Sequence, residues 1–238
     1  MTGPAARKSD LGPRVVSAIV MLVVAGACFA LGGWWLRGFV ILVALVALWE
    51  LIALIAKAGD TVIKRLFGMI AGAVYVAGAT LFLVQSSKLT IIAVVGAVIC
   101  VDVFAYGFGR TIGGPKIAPR ISPSKTWAGL GGAMVGATLF FSLLTVAVGA
   151  WIVGHFSLRD ANVFSPDLVP VLVPLGVATA IVAQAGDFLE SWLKRKAGVK
   201  DSSHLIPGHG GVLDRVDGLL AVSFVAELIQ ISQSGFAV

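Results

Sequence analysis

The sequence is poor in charge, cysteine and histidine, and these shortages exclude several classes of protein. Only 13% of its 238 residues are charged, about half of what is usual in a soluble domain, while 58% are hydrophobic. It has two cysteines, both inside apolar runs, and three histidines without metal-ligand spacing, so we expect neither a disulfide framework nor a zinc site. With a mean hydropathy of +0.98, the chain is identified as an integral membrane protein.

Long hydrophobic runs take up most of the chain. A bilayer core needs about 20 mostly apolar residues per helix. The runs that reach this length are 15–34, 38–56, 67–85, 89–108, 127–153, 169–188 and 218–236. They predict an all-α fold, a polytopic transmembrane helical bundle of about seven spans, or more if some helices are re-entrant or broken. Residues 1–14 would form a cytoplasmic tail, and 15–236 a single transmembrane domain.

Positive charge is distributed unevenly between the segments that join these runs. With the N-terminus in the cytoplasm, only Arg37, Lys88 and Arg159 among the 18 Lys and Arg fall on the outer side. This is the asymmetry that the positive-inside rule describes. Anionic lipid head groups therefore explain the net charge of +6 better than nucleic acid does, and we expect no nucleic-acid partner.

Acidic residues inside the hydrophobic runs are costly, so each marks a candidate functional position. Glu50 lies near the cytoplasmic end of its run, where an interfacial role is at least as well supported as a site. Asp102 fits a helix–helix hydrogen bond and a functional role equally well. Glu227 is spaced with Gln230 and Gln233 in a polar stripe that we expect to face other helices.

The segment before the last hydrophobic run combines carboxylates, hydroxyls, basic residues and glycines. Helical spacing places Asp187, Ser191 and Lys194 on one face of a helix, with Glu190 beside them. Asp214 and Asp217 share a face at the start of the next helix, after a glycine-rich loop that can approach a ligand closely. If the three aspartates converge, their oxygens suit Mg²⁺, which bridges carboxylates to phosphate. Helix capping by the last two aspartates is the simpler alternative, but it leaves the other features unexplained.

Two stretches of the sequence carry long polar motifs. The first is gap-free and consists of Ser191-Trp-Leu-Lys194-Arg195, Lys200-Asp201 and His204-Leu-Ile-Pro207-Gly208-His209-Gly210-Gly211-Val-Leu-Asp214-Arg215-Val-Asp217. The second consists of Asp102-Val-Phe-Ala-Tyr106, Gly109-Arg110 and Ser122-Pro-Ser-Lys125-Thr126. Both resemble the conserved stretches of bacterial phosphatidate cytidylyltransferases, also called CDP-diacylglycerol synthases. The chain departs from that pattern at Ala128, where many members carry a polar residue.

The resemblance implies an inner-membrane enzyme that joins CTP to phosphatidic acid and releases pyrophosphate, giving CDP-diacylglycerol for phospholipid biosynthesis. It implies Mg²⁺ as the cofactor, with K⁺ as a second cation at the site. The catalytic half would be 102–236, after N-terminal helices over 15–108. Carried over by motif, the metal ligands would be Asp187, Asp214 and Asp217, and the phosphate or cation contacts would be Ser122, Lys125, Ser191 and Lys194.

The charge on the substrates suggests what the remaining polar residues do. The lipid phosphate is already an anion at neutral pH, so its in-line attack on the α-phosphorus of CTP needs positioning and charge shielding more than a strong base. The groups available for shielding are Lys194, Arg195, Lys200, Arg215 and the N–H groups of Gly210 and Gly211. His209 would protonate the leaving pyrophosphate or, equally, have a backbone-turn or hydrogen-bonding role.

Two other functions remain open at this stage. A related CTP-using membrane enzyme, such as a polyprenol-type kinase, would act on another lipid. A cation transporter would bury Asp102, Asp187 and Glu227 along a pathway, although it would not need the glycine-rich loop. The expected partners are CTP, phosphatidic acid and the lipid bilayer, and the glycine-rich helices allow a homodimer without requiring one.

Overall fold

Long helices form over the hydrophobic runs, because an apolar helix satisfies all its backbone hydrogen bonds internally. The computed structural model describes residues 11–153 and 167–235. Its elements are α1 (Leu11–Leu31), α2 (Gly33–Ala58), α3 (Val62–Gln85), α4 (Lys88–Thr111), β1 (Lys116–Ala118), β2 (Ser122–Thr126), α5 (Trp127–Val153), α6 (Val169–Lys196) and α7 (Leu213–Gly235). Within these described residues, seven helices are long and apolar enough to cross a membrane, which confirms the polytopic helical bundle.

Several boundaries differ from those that hydrophobicity predicts. The first two helices separate at Gly32, not at 35–37, because Gly32 and Gly33 adopt φ values of 65° and 50° that glycine tolerates best. Helix α6 continues beyond the end of its hydrophobic run at 188 to Lys196, as the helical spacing of Asp187, Ser191 and Lys194 predicts. Helix α1 begins at Leu11, inside the predicted tail.

Some sequence predictions lie outside the described residues. These are most of the N-terminal tail (1–10), Arg159 in the loop between α5 and α6, and residue 236 at the end of the last predicted span.

Small residues allow the helices to approach closely, as is typical of membrane bundles. Ala133 and Ala137 of α5 are fully buried against the neighbouring helices. A Cβ at Gly132 would lie 2.6 Å from the side chain of Phe108, and one at Gly136 would lie 2.6 Å from that of Phe104. Helices α4 and α5 therefore pack so closely that only glycine fits at these two positions. Packing of this kind fixes the helix positions on which the polar residues depend.

The polar stripe expected on α7 is present only in part. Glu227 is buried, as predicted, at 7% exposure. Gln230 and Gln233, by contrast, are exposed, so the prediction that the whole stripe faces other helices is wrong. Three residues of a helix rotate by about 300°, which is less than a full turn, and repeated i, i+3 steps therefore drift off the buried face.

The up-and-down order of the helices brings most of the polar chemistry to one end of the bundle. The C-terminal ends of α4 and α6 lie there with the N-terminal end of α7. A hairpin of β1 and β2, paired through Lys116 with Thr126 and Ala118 with Ser122, lies in the connection from α4 to α5. The hairpin was not foreseen, because a loop of mixed glycines and basic residues carries no strand pattern.

Candidate functional site

Three carboxylates from α6 and α7 form an acidic cluster at this end of the bundle. One oxygen each from Asp187, Glu190 and Asp217 lies within 4.8 Å of the other two. Gly186 permits this approach, because a Cβ there would lie 2.6 Å from the carbonyl oxygen of Asp217. Sequence spacing predicted Asp187 and Asp217 in one cluster, and the geometry brings them together.

The acidic cluster has the donor set of a hard cation. The side chain of Glu190 is only 5% exposed, and its Oε1 has no hydrogen-bond partner among the described residues. Three ionised carboxylates at this separation repel one another, and a cation between them would offset that repulsion. Oxygen ligands of this kind suit Mg²⁺, so the residues present fit a divalent ion.

Asp214 does not belong to the acidic cluster, contrary to the prediction from sequence. Its Oδ1 lies 2.6 Å from Nζ of Lys194. Its Oδ2 accepts hydrogen bonds from the N–H groups of Gly211 and Ser202, at 2.8 and 3.0 Å, and from the Ser202 hydroxyl at 2.9 Å. Asp214 therefore fixes the loop before α7, and Glu190 is the third carboxylate of the acidic cluster.

Lys194 lies inside the protein and bridges two acidic side chains. Its Nζ is 2.9 Å from Glu190 Oε2 as well as 2.6 Å from Asp214 Oδ1, and the Lys194 side chain is 14% exposed. The direct phosphate contact expected of Lys194 stays a prediction. The charge of Lys194 offsets those of two buried carboxylates.

A polar cleft of about 460 Å³ opens beside the acidic cluster, between α4, β2, α6 and α7. Asp187 and Asp217 line it together with the basic side chains of Arg110, Lys116 and Lys125. Lys125, predicted as a phosphate or cation contact, lies beside the acidic cluster, with Nζ 2.5 Å from Asp187 Oδ2. The cleft combines anionic ligands with several cations, which is the arrangement a polyphosphate with a metal ion requires.

Asp102 and Gln184 also line the polar cleft. For Asp102 this favours the functional alternative over a helix–helix hydrogen bond. Gln184 was missed, although its place one turn before Asp187 on an apolar helix was a usable signal. Arg110 and Lys116 were likewise missed as site residues, since the positive-inside rule already accounted for their charge.

An apolar groove of about 580 Å³ lies on the other side of the acidic cluster, between α2, α3, α6 and α7. Its lining includes Phe67, Leu189 and Trp192, with Lys64 and Lys196 among the few basic residues. Glu190 and Asp217 also line it. Asp217 therefore borders both the apolar groove and the polar cleft.

Ser191 supports the acidic cluster by donating a hydrogen bond from Oγ to Asp187 Oδ1 at 3.2 Å. Other predicted contacts hold the hairpin or face solvent. Ser122 is buried in β2, Arg195 donates to the carbonyl oxygen of Ile121, and Lys200 is exposed. Ser122, Arg195 and Lys200 are not among the described residues that line either cavity.

The glycine-rich loop before α7 makes internal contacts. His209 Nδ1 lies 2.9 Å from the Ser17 hydroxyl of α1, so of the two roles expected for His209 the structure contains the hydrogen bond. Arg215 donates twice to the carbonyl oxygen of His209, and the Gly211 N–H is taken by Asp214. Gly210, at φ 82°, closes a turn by accepting the N–H of Ile206. Arg215, Gly210 and Gly211 thus make contacts within the loop, and the phosphate contacts expected of them stay predictions.

In a comparison with known protein families, residues 58–232 match the cytidylyltransferase family. The chain is 47% identical over 137 residues to a phosphatidate cytidylyltransferase of Brucella melitensis, covering 56% of this chain and 44% of that protein. It is 45% identical over 120 residues to one of Haemophilus influenzae, covering 50% and 38%. The alignments thus span less than half of these two relatives. A phosphatidate cytidylyltransferase of Rickettsia bellii is 32% identical over 218 residues, covering 90% of this chain and 88% of that protein.

Proposed function

The chain belongs to the cytidylyltransferase family, and from this premise we propose that it transfers a cytidylyl group from CTP to phosphatidic acid. The products are CDP-diacylglycerol and pyrophosphate. The observation that carries the proposal is the position of Asp217, which borders a polar cleft on one side and an apolar groove on the other. A water-soluble substrate and a lipid can therefore meet at one acidic cluster.

The polar cleft takes the triphosphate of CTP. Arg110, Lys116 and Lys125 line it and neutralise phosphate charge, which is the main obstacle to bringing two polyanions together. Lys125 pairs with Asp187 and lies over the ring of Phe188 at 4.3 Å, so its amino group is held at the edge of the acidic cluster.

The apolar groove takes the acyl chains of phosphatidic acid. It is bordered by membrane-spanning helices, so a lipid can keep its chains in an apolar environment while its phosphate reaches the acidic cluster. Lys64 and Lys196 line the same groove and offer positive charge to the phosphate.

Asp187, Glu190 and Asp217 would hold Mg²⁺, with K⁺ proposed as a second cation. Bound there, the metal supplies shielding of the phosphate charges. The protein's own contribution is to align the lipid phosphate oxygen with the α-phosphorus. A bond forms between these two atoms as the bond from the α-phosphorus to the oxygen that bridges the α- and β-phosphates breaks. The cations of the polar cleft balance the charge of the departing pyrophosphate.

The proposed reaction also determines how the protein lies in the membrane. CTP is a cytoplasmic nucleotide, and the end of the bundle with the polar cleft carries most of the Lys and Arg residues. We therefore propose that this end faces the cytoplasm and that the protein is a multi-pass component of the inner membrane.

A label-transfer assay tests the proposed function. Purified protein in detergent is given phosphatidic acid and CTP labelled at the α-phosphorus, with Mg²⁺ or with EDTA. We expect Mg²⁺-dependent label in the lipid extract and an equal amount of pyrophosphate. Label that reaches lipid only from the γ-phosphate would instead identify a kinase. No transfer by a folded sample would contradict the proposal and favour ion transport, to be measured in liposomes.

Narrowing the apolar groove should weaken lipid binding selectively. Leu189 lines the groove, and Leu189→Trp fills part of its volume. We expect a several-fold higher KM for phosphatidic acid with little change in the KM for CTP. Ile181→Trp is the matched control, because Ile181 is similarly exposed on the same helix and is not among the residues that line the groove. Equal effects of the two substitutions on both KM values would contradict the assignment of the groove.

A further inference from the structure

Glu50 of α2 is a buried carboxylate that lies outside the acidic cluster. Glu50 is only 1% exposed, and each of its two carboxylate oxygens accepts two hydrogen bonds. Oε1 accepts hydrogen bonds from the Ser203 hydroxyl at 2.5 Å and the Val212 N–H at 3.1 Å. Oε2 accepts from the Leu213 N–H at 2.6 Å and the Ser202 hydroxyl at 3.1 Å. Glu50 thus binds the loop before α7 at two separate places.

These contacts give α7 an N-terminal cap from a different helix. The first N–H groups of a helix have no partner within it, and a carboxylate is favourable there because of the helix dipole. Caps usually come from the residue that precedes the helix. Here a side chain from α2, 163 positions away from Leu213, supplies the cap, so the start of α7 is fixed relative to α2.

The same contacts lead directly to the acidic cluster. The Ser202 hydroxyl that donates to Glu50 also lies 2.9 Å from Asp214 Oδ2, and Asp214 pairs with Lys194. Lys194 in turn pairs with Glu190, a member of the cluster, while Asp217 lies one turn further along α7. Movement at the start of α7 therefore changes the separation of the carboxylates.

Gly211 shows how tightly this contact is built. A Cβ on Gly211 would lie 2.6 Å from Glu50 Oε2, so the loop has no room for a larger residue while Glu50 occupies its present place. A contact that excludes even a methyl group restricts both the rotation of α7 about its axis and its translation along that axis.

We propose that Glu50 is a positioning residue for the cation site: by capping α7 it fixes Asp217 against Asp187 and Glu190. The inference rests on the proposed function only in taking the acidic cluster as that site. The residue acts through the loop and α7, and its effect is on the affinity of the site for a divalent ion.

Glu50→Gln tests this inference, since it keeps the size of the side chain and removes one acceptor. The amide nitrogen is itself a donor and must face a group that also donates. We expect Mn²⁺, titrated by electron paramagnetic resonance into the purified protein, to bind about tenfold more weakly. Hydrogen exchange should be faster in the loop 202–213. The kcat should fall with little change in either KM, and added Mg²⁺ should restore part of it.

Glu227→Gln is the matched control, because Glu227 is also a buried glutamate in a membrane helix but lies further along α7. It should leave Mn²⁺ affinity and exchange in the loop unchanged. Ser203→Ala removes a single donor to Glu50 and should shift Mn²⁺ affinity in the same direction by a smaller amount, which provides a test if Glu50→Gln fails to fold.

The possible outcomes separate this inference from the proposed function. A Glu50→Gln protein that is less stable but binds Mn²⁺ like the wild type would overturn it and leave Glu50 a purely structural residue. A wild type that binds no Mn²⁺ would overturn the cation site and this inference with it. A wild type that binds Mn²⁺ but transfers no cytidylyl group would contradict only the proposed function.

Discussion

Asp217→Asn should reduce cytidylyl transfer by about a thousandfold while the protein remains folded. Asp217 borders both cavities and contributes to the acidic cluster, so its charge is needed where the two substrates meet. Asparagine has nearly the same shape, and its side-chain oxygen can still accept the Gly218 N–H, which donates to Asp217 Oδ1 at 2.7 Å. The loss should therefore come from the charge and not from the packing.

Although Asp217→Asn should lower activity, it should raise the free energy of unfolding or leave it unchanged. Removing one of three neighbouring carboxylates relieves their mutual repulsion, so Asp217→Asn should be at least as stable as the wild type. Label transfer and thermal unfolding in detergent check the two halves of this prediction. Full activity of the purified variant would refute the role of Asp217.

Asp214→Asn is the informative comparison, since sequence reasoning placed Asp214 and Asp217 in the same role. Asp214 pairs with Lys194 and accepts N–H groups of the loop before α7, so Asp214→Asn should lose stability and activity together. If Asp214→Asn lost activity without losing stability, Asp214 would be a ligand after all, as the motif suggested.

Among these variants, Lys194→Ala should cause the largest loss of stability, lowering the free energy of unfolding by about 3 to 5 kcal/mol. The substitution leaves Glu190 and Asp214, at 5% and 6% side-chain exposure, without the cation between them. An unpaired charge in a buried site costs more than the ion pair itself contributes. The measurement is denaturant or thermal unfolding of the detergent-solubilised protein, together with the yield of folded material.

Lys57→Ala serves as the control for Lys194→Ala, because Lys57 is an exposed lysine at the end of α2. Its effect should be within about 0.5 kcal/mol. If both variants unfolded alike, the pairing of Lys194 would not stabilise the protein. If Lys194→Ala remained stable but inactive, the direct phosphate contact predicted from the motif would regain support.

The site combines residues that are close together in the sequence with residues that are far apart in it. Asp187, Ser191 and Lys194 lie on one helix, so helical spacing alone places them together. Lys125 comes from the hairpin, and only its motif pointed to the acidic cluster. Glu50 gave no such signal: an interfacial glutamate beside a tryptophan has many uses, and its partners lie more than 150 positions later.

Two predictions at the site depend on contacts between distant segments. Asp214 was placed among the metal ligands, and His209 was expected either to protonate pyrophosphate or to make a hydrogen bond, and each makes a contact that depends on where other segments lie. Asp214 meets Lys194 and the loop, and His209 meets Ser17 of α1, 192 positions away. A motif specifies which residues are present, but a polar side chain binds whichever complementary group the packing brings nearest.

The sequence by itself determined the membrane class, the seven helices, the family and the pair Asp187 and Asp217. These follow from hydrophobic length, local spacing and an uninterrupted motif, which involve only neighbours along the chain. Tertiary structure alone decided that Glu190 and not Asp214 completes the acidic cluster, that Asp217 separates a polar cleft from an apolar groove, and that Glu50 caps α7. Those contacts join different helices, and their geometry is set by how glycine and alanine let the helices pack.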